Sequence, residues 1–305
     1  MRWRKQGLIY APSGEMWWAR SYTHLPTVDV INDEIIRVYF ASLDENKYGR
    51  VGYIELDAED PRRILDLTTE PVLDLGELGA FDDSGVTPSC IINVGDKKYL
   101  YYIGWQRCER VPYMLFTGLA ISTDGGRSFR KHSRVPVLDR TTDEPFSRSA
   151  PFVLFEDGIF KVWYWTCVRW SVEDGWTHYN NVIKYATSED GIAWAAHDHL
   201  CIVPDGKDDY AVGRPWVMRD GGLYRMWYSI RSKSAKPYRI GYAESNDGIN
   251  WVRKDEEAGI ETSVEGWDSE MICYPCVVKI KGETHIFYNG NRHGGSGFGY
   301  AVLES

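Results

Sequence analysis

No stretch of this 305-residue sequence approaches the roughly 18 apolar residues that a membrane-crossing helix needs. No basic run interleaves with aromatics, and the formal charge is −9, with 35 Lys and Arg against 44 Asp and Glu. Both features argue against a membrane or a nucleic acid as partner. The basic N-terminal residues 1–14 are not followed by the 7–15-residue apolar core of a signal peptide, so the chain as given is expected in the cytoplasm. The six cysteines (90, 108, 167, 201, 273 and 276) have no framework spacing and are expected to be free thiols. Cys273 and Cys276 are spaced like a redox or zinc half-site, yet there is no second such pair and no helix pattern after them. A structural pair is the expectation. A helical period is also missing throughout.

What the sequence does contain is a fivefold repeat. Pro26, Pro88, Pro151, Pro215 and Pro275 are spaced by 60 to 64 residues. Each is followed by a short apolar run, a polar turn and an aromatic-rich run. Each unit then reaches a second signature: GYIELD at 52–57, GLAIST at 118–123, KYATSE at 184–189, GYAESN at 241–246 and GYAVLE at 299–304. Self-similarity at such a period marks an array of supersecondary units. Each unit offers four strand-like runs separated by turn signals such as Asp157-Gly158 and Asp247-Gly248. Four-stranded antiparallel units repeated radially make a β-propeller. The expected fold is therefore all-β, a single five-bladed propeller domain over residues 1–305.

The fourth strands of units two to four open on an aromatic, at Phe129, Trp194 and Trp251. The fifth unit ends before any such strand. Trp3-Arg4-Lys5 supplies the missing pattern, so residues 3–9 are expected to form the outer strand of the last blade and close the ring without a free edge.

This topology separates two faces. The segments leading into the first strands and the loops joining strands two and three open on one face; the remaining turns open on the other. Ser122 to Phe129, Ser188 to Trp194 and Ser245 to Trp251 carry Ser-x-Asp-Gly turns resembling the Asp box of sialidases. They fall on the far face and are expected to be structural, each Asp binding amides of its own turn. The near face gathers Arg20 and His24; Asp82 and Asp83; Glu144 and Arg148; Asp208, Asp209 and Arg214; and Asp268, Glu270 and Tyr274. The loops between second and third strands add Trp105, Arg107, Arg169, Trp170, His178, Arg231, Asn291, Arg292 and His293. Acids and arginines converging on one mouth suit a polar ligand. Thirteen Trp and twenty Tyr suit a sugar that stacks on rings.

The fivefold pattern, the Asp-Gly-x-x-Trp turns and Met226-Trp227-Tyr228-Ser229 resemble the five-bladed glycosidase superfamily of arabinanases and xylosidases, invertases and levansucrases, and mannoside phosphorylases. The resemblance covers essentially the whole chain and implies a carbohydrate-active enzyme without a redox cofactor. Members place an acid beside the first strand of particular blades. This chain has Leu25, Ala150 and Gly213-Arg214 there, so the usual acid triad does not carry over. Relocated acids are then expected: Glu270 as general acid, Asp83 as general base or nucleophile, with Asp82 and Glu144 tuning charge. Arg20, Arg148 and Arg214 would suit a carboxylate or phosphate, which points to an anionic sugar. The substrate-binding set is completed by His24, Asp268, Tyr274, Trp105, Arg292 and His293. The favoured activity is cleavage of a glycosidic bond. Phosphorolysis or sugar transfer, and a non-catalytic carbohydrate-binding propeller, stand as alternatives. No metal site is expected, although the surplus of carboxylates leaves room for an axial calcium ion.

Overall fold

The structure is a computed structural model, and it describes residues 1–173, 175–233 and 237–304. It is nearly all β, with one four-residue helix at Asn291–Gly294 and one 3-10 turn at Asp255–Glu257. No helix among the described residues is long and apolar enough to cross a membrane.

Each repeat forms an antiparallel meander. The first comprises Ser21–Val30, Ile35–Leu43, Gly49–Asp57 and Ile64–Leu67. The second comprises Gly85–Val94, Lys97–Arg107, Tyr113–Ser122 and Arg130–Lys131. The third and fourth follow the same plan from Arg148–Glu156 and from Asp209–Asp220. The fifth contributes Cys273–Ile280, Glu283–Asn289 and Phe298–Leu303. Its fourth strand is Trp3–Tyr10, with Trp3 opposite Leu303 and Tyr10 opposite Phe298. Single parallel bridges, Gly49 to Gly85 and Phe116 to Arg148, join the first three meanders into one sheet.

The five prolines mark five irregularities. Each first strand breaks register where its proline falls: between His24 and Thr27, Pro88 and Cys90, Ser149 and Phe152, Gly213 and Trp216, and Cys273 and Cys276. Proline cannot donate to the ladder, so a bulge is where a strand accommodates it. Four of the residues just before a proline (Leu25, Ala150, Arg214 and Tyr274) have φ between 47° and 59°. Non-glycine residues seldom adopt that left-handed backbone, and such strain persists only where the surroundings impose it.

The Asp-Gly turns stitch neighbouring repeats together. Asp124 Oδ1 accepts from the amides of Arg127 and Ser128 at 2.9 and 3.0 Å, and Asp190 and Asp247 do the same in their own turns. A ring from the second strand of the preceding repeat then reaches a glycine carbonyl of each turn. Tyr39 donates to Gly126, Tyr101 to Gly191 and Trp163 to Gly248, at 2.7–2.8 Å. The expected structural role is realised, with contacts between repeats that spacing alone had not disclosed.

Candidate functional site

Three acids expected at the mouth form a second recurring device. Asp82, Glu144 and Asp268 each receive a hydrogen bond from the tyrosine hydroxyl 20 residues later: Tyr102 at 2.8 Å, Tyr164 at 3.0 Å and Tyr288 at 2.9 Å. A base from the outer strand completes two of these clamps, Lys131 on Asp82 and Lys5 on Asp268, both at 2.6 Å. Lys5 thus does in the N-terminal strand what Lys131 does in the second repeat. In the third repeat Ala196 stands at the corresponding outer-strand place. Glu144 there meets Arg148 at 2.8 Å, as charges in contact without an aligned N–H, and Lys184 at 3.6 Å. All three acids are buried.

The glycine that opens the second signature of the second repeat makes room for its clamp, since a Cβ at Gly118 would stand 2.2 Å from the Tyr102 ring. In the third repeat Lys184 occupies that position and joins the clamp itself.

The bulged pre-proline residues converge elsewhere. Leu25, Thr87, Ala150, Arg214 and Tyr274, one from each repeat, all line a single cavity of about 310 Å³. Its remaining wall includes Leu43, Trp105, Trp165, Tyr179, Asn181 and Arg231, and His24 from the first repeat. The sequence-derived geometry placed the mouth here, and these residues come from the strand ends assigned to it. No aspartate or glutamate is among the lining residues.

The cavity is basic and unpaired. Of the three buried arginines, Arg37 lies against Glu55 at 2.6 Å and Arg148 against Glu144. Arg214, only 2% exposed, has no acid beside it. Its Nη2 donates to Thr27 Oγ1 at 3.1 Å and more weakly to the Pro26 carbonyl, and its guanidinium lies 5.0 Å from the Trp216 ring centroid. Nε and Nη1 have no partner. Burial pulls the pKa of Arg214 down to about 10. Arg231 is held between the rings of Tyr179, Tyr210 and Tyr238, at 4.6, 5.3 and 5.1 Å, and its Nε also has no partner. Asn181 Oδ1, in the same wall, is buried and unbonded. A buried polar atom without a partner is costly, and this cavity gathers three such arginine nitrogens and one amide oxygen.

His24 lines the cavity, stacks on Tyr22 and places Nδ1 2.8 Å from the His293 carbonyl. Burial lowers its pKa to about 4. His293 is also lowered to about 4, first by burial and then by the charge of Arg231. Both imidazoles are therefore neutral at neutral pH.

Of the sequence-derived site residues, His24, Trp105, Arg214 and Tyr274 line the cavity, and His293 stands behind His24. Arg20 is exposed and donates to the Gly14 carbonyl, and Arg292 is exposed in the short helix. Asp83 caps a local turn, accepting from the Gly79 amide at 2.9 Å and the Ser84 hydroxyl at 3.0 Å. Glu270 is exposed, its own amide donating to Asn291 Oδ1. Arg231 was expected at the near face but not in the substrate-binding set, and Tyr179, Trp165 and Asn181 were not anticipated there. Tyr179 lies on the extended third strand Trp176–Ser188, whose end reaches the cavity, and only strand length could have signalled it. The Cys273 and Cys276 thiols are free and buried, and burial pushes Cys276 up to about 12. Among the described residues no group of three or more His, Cys, Asp or Glu is placed to hold a metal ion.

No protein-family model matches the chain. Over 305 residues, covering 100% of both chains, it is 40% identical to the uncharacterized protein Rv1502 of Mycobacterium tuberculosis strain H37Rv, and likewise to MT1551 of strain CDC 1551. Solved structures with a similar fold include a glycoside hydrolase, with TM-score 0.77 and 17% identity over 98% of this chain and 90% of that one. A thermostable family-43 glycoside hydrolase follows at 0.69 and 18%, over 94% and 90%. The Bombyx mori GH32 beta-fructofuranosidase BmSUC1 gives 0.59 and 16%, over 94% of this chain and 62% of that one. At these identities the likeness speaks for the fold, which is that of glycoside hydrolases.

Proposed function

The chain belongs to one family with Rv1502 of Mycobacterium tuberculosis, and from that premise we propose that it is a carbohydrate-active protein whose central cavity takes a sugar bearing an anionic group. The carrying observation is Arg214, a buried guanidinium without an acid in a cavity walled by tryptophans and tyrosines. An incoming carboxylate or phosphate would supply the missing counter-charge, and the rings would supply stacking faces. Five blades closed by Trp3–Tyr10 around the cavity are the architecture this reading adopts. It is supported by the five meanders and by the convergence of all five pre-proline residues.

On the scaffold of glycoside hydrolases the proposed reaction is cleavage of a glycosidic bond, with Glu270 as general acid and Asp83 as general base or nucleophile. Both stand outside the cavity lining. That position favours a second reading, a propeller that binds its sugar without cleaving it. Turnover across a panel of aryl uronides and neutral aryl glycosides tests the pair. Hydrolysis lost in Glu270→Gln and Asp83→Asn, with sugar binding retained, supports the hydrolytic reading. Sugar affinity without turnover in the parent protein selects the binding one. Turnover that requires added inorganic phosphate assigns the arginines to phosphorolysis.

A further inference from the structure

We propose that the ligand is an acidic oligosaccharide with carboxylates on two neighbouring sugars, one seated on Arg214 at the cavity floor and the next on Arg231 at its rim. This inference rests on the reading of the cavity as an anionic-sugar site.

The two guanidinium groups sit in different immediate settings, although Tyr274 feels the charge of both. Arg214 touches Pro26, Thr27 and Trp216, whereas Arg231 touches Tyr179, Tyr210 and Tyr238. Arg231 pairs with Ala211, three residues before Arg214 on the inner strand, so the two backbones are separated by roughly 10 Å of strand. A single carboxylate neutralises one of the two guanidinium charges and leaves the other without a counter-charge. Each needs its own anion, and a chain of acidic sugars provides anions at successive residues.

Charge balance selects the kind of anion at the floor. Apart from Arg231, the residues that line the cavity with Arg214 are neutral, Leu25, Ala150, Asn181 and Ser229 among them. One carboxylate brings that buried pair to neutrality. A phosphate dianion would leave net negative charge in a site with little access to water. The unbonded Asn181 Oδ1 is an acceptor for a sugar hydroxyl. The half-buried Tyr210 ring stands beside Arg231 and is a stacking surface for the second sugar.

Calorimetric titration of the full chain with galactose, galacturonate, digalacturonate, the methyl ester of digalacturonate and inorganic phosphate tests this, with glucose and the glucuronate series run alongside. Arg231→Gln and Arg214→Gln are titrated too, each first shown to keep the near-UV circular dichroism of the parent. In at least one series the diuronide is expected to bind about tenfold tighter than the monouronide or the ester, the scale of one added charge-assisted contact. Arg231→Gln should erase that advantage by bringing diuronide affinity down to that of the monouronide, whereas Arg214→Gln should weaken both. Equal affinities for mono- and diuronide in both series, or an advantage that survives in Arg231→Gln, overturn the two-carboxylate inference while the anionic-sugar reading stands. Monouronides no tighter than the neutral sugars sink the underlying reading as well. Phosphate binding tighter than every uronide overturns the carboxylate assignment.

Discussion

Asp82, Glu144 and Asp268 each close on a tyrosine and a base, while Arg214 and Arg231, toward the centre, have no acid within reach. Acids and bases are thus sorted by position. Those on the flanks satisfy one another inside a single meander, and those at the centre are left with neutral neighbours. The flank clamps hold the strands together, so their charges are committed. The central arginines make no ion pair, and their contacts are with hydroxyl, carbonyl and aromatic groups.

The largest expected effect is on the flank side. Asp268→Ala leaves Lys5 and Tyr288 facing an empty acceptor, and loss of one member of a buried ion pair costs about 3–5 kcal/mol. Urea denaturation reads it, and a loss below about 1 kcal/mol would break the distinction between the two regions. Arg214→Met should move stability the other way. Replacing an uncompensated buried charge with an apolar side chain is expected to be neutral or stabilising by about 1–4 kcal/mol. Uronate affinity should fall in the same protein, and a destabilised Arg214→Met with normal affinity would show the arginine to be structural.

The third expectation concerns pH. His24 and His293 are held near pKa 4 in the folded chain, against about 6.5 unfolded. Above pH 6.5 both states are neutral and the folded form keeps its full advantage. As pH falls from 6.5 toward 4, the unfolded chain takes up protons that the folded one refuses, so stability declines across that window. Denaturation midpoints from pH 4 to 7 should show a shallower slope in His24→Asn than in the parent, and identical slopes would remove His24 from the account. The smallest effect is Tyr102→Phe, which keeps the ring and deletes one hydroxyl from Asp82. About 1 kcal/mol of stability is expected to go, read in the same denaturation experiment.

The prolines made the position of the cavity legible in advance, because a residue that cannot join a ladder forces the strand to deviate at a fixed place. The Asp-Gly turns were legible for a similar reason, their chemistry being local. The acid-to-tyrosine spacing of 20 residues was also present in the sequence, at Asp82 and Tyr102, Glu144 and Tyr164, Asp268 and Tyr288. Its meaning was hidden because the third partner lies on another strand: Lys131 is 49 residues from Asp82, and Lys5 is 263 residues from Asp268. Arg148 looked like a ligand arginine until Glu144, four residues earlier, was seen folded against it. Arg231 had the opposite fate. Its tyrosines come from two repeats, and only the fold brings them to one guanidinium.

The pairing of Trp3–Tyr10 with Phe298–Leu303 has a consequence for synthesis. This strand is made before the other strands of its sheet, yet its partner is nearly three hundred residues away. Until that partner is made it trails unpaired while the other meanders assemble from neighbouring segments, in the order they are made. A nascent chain halted before residue 298 would carry that strand without its ladder and Lys5 without the strand that presents it to Asp268.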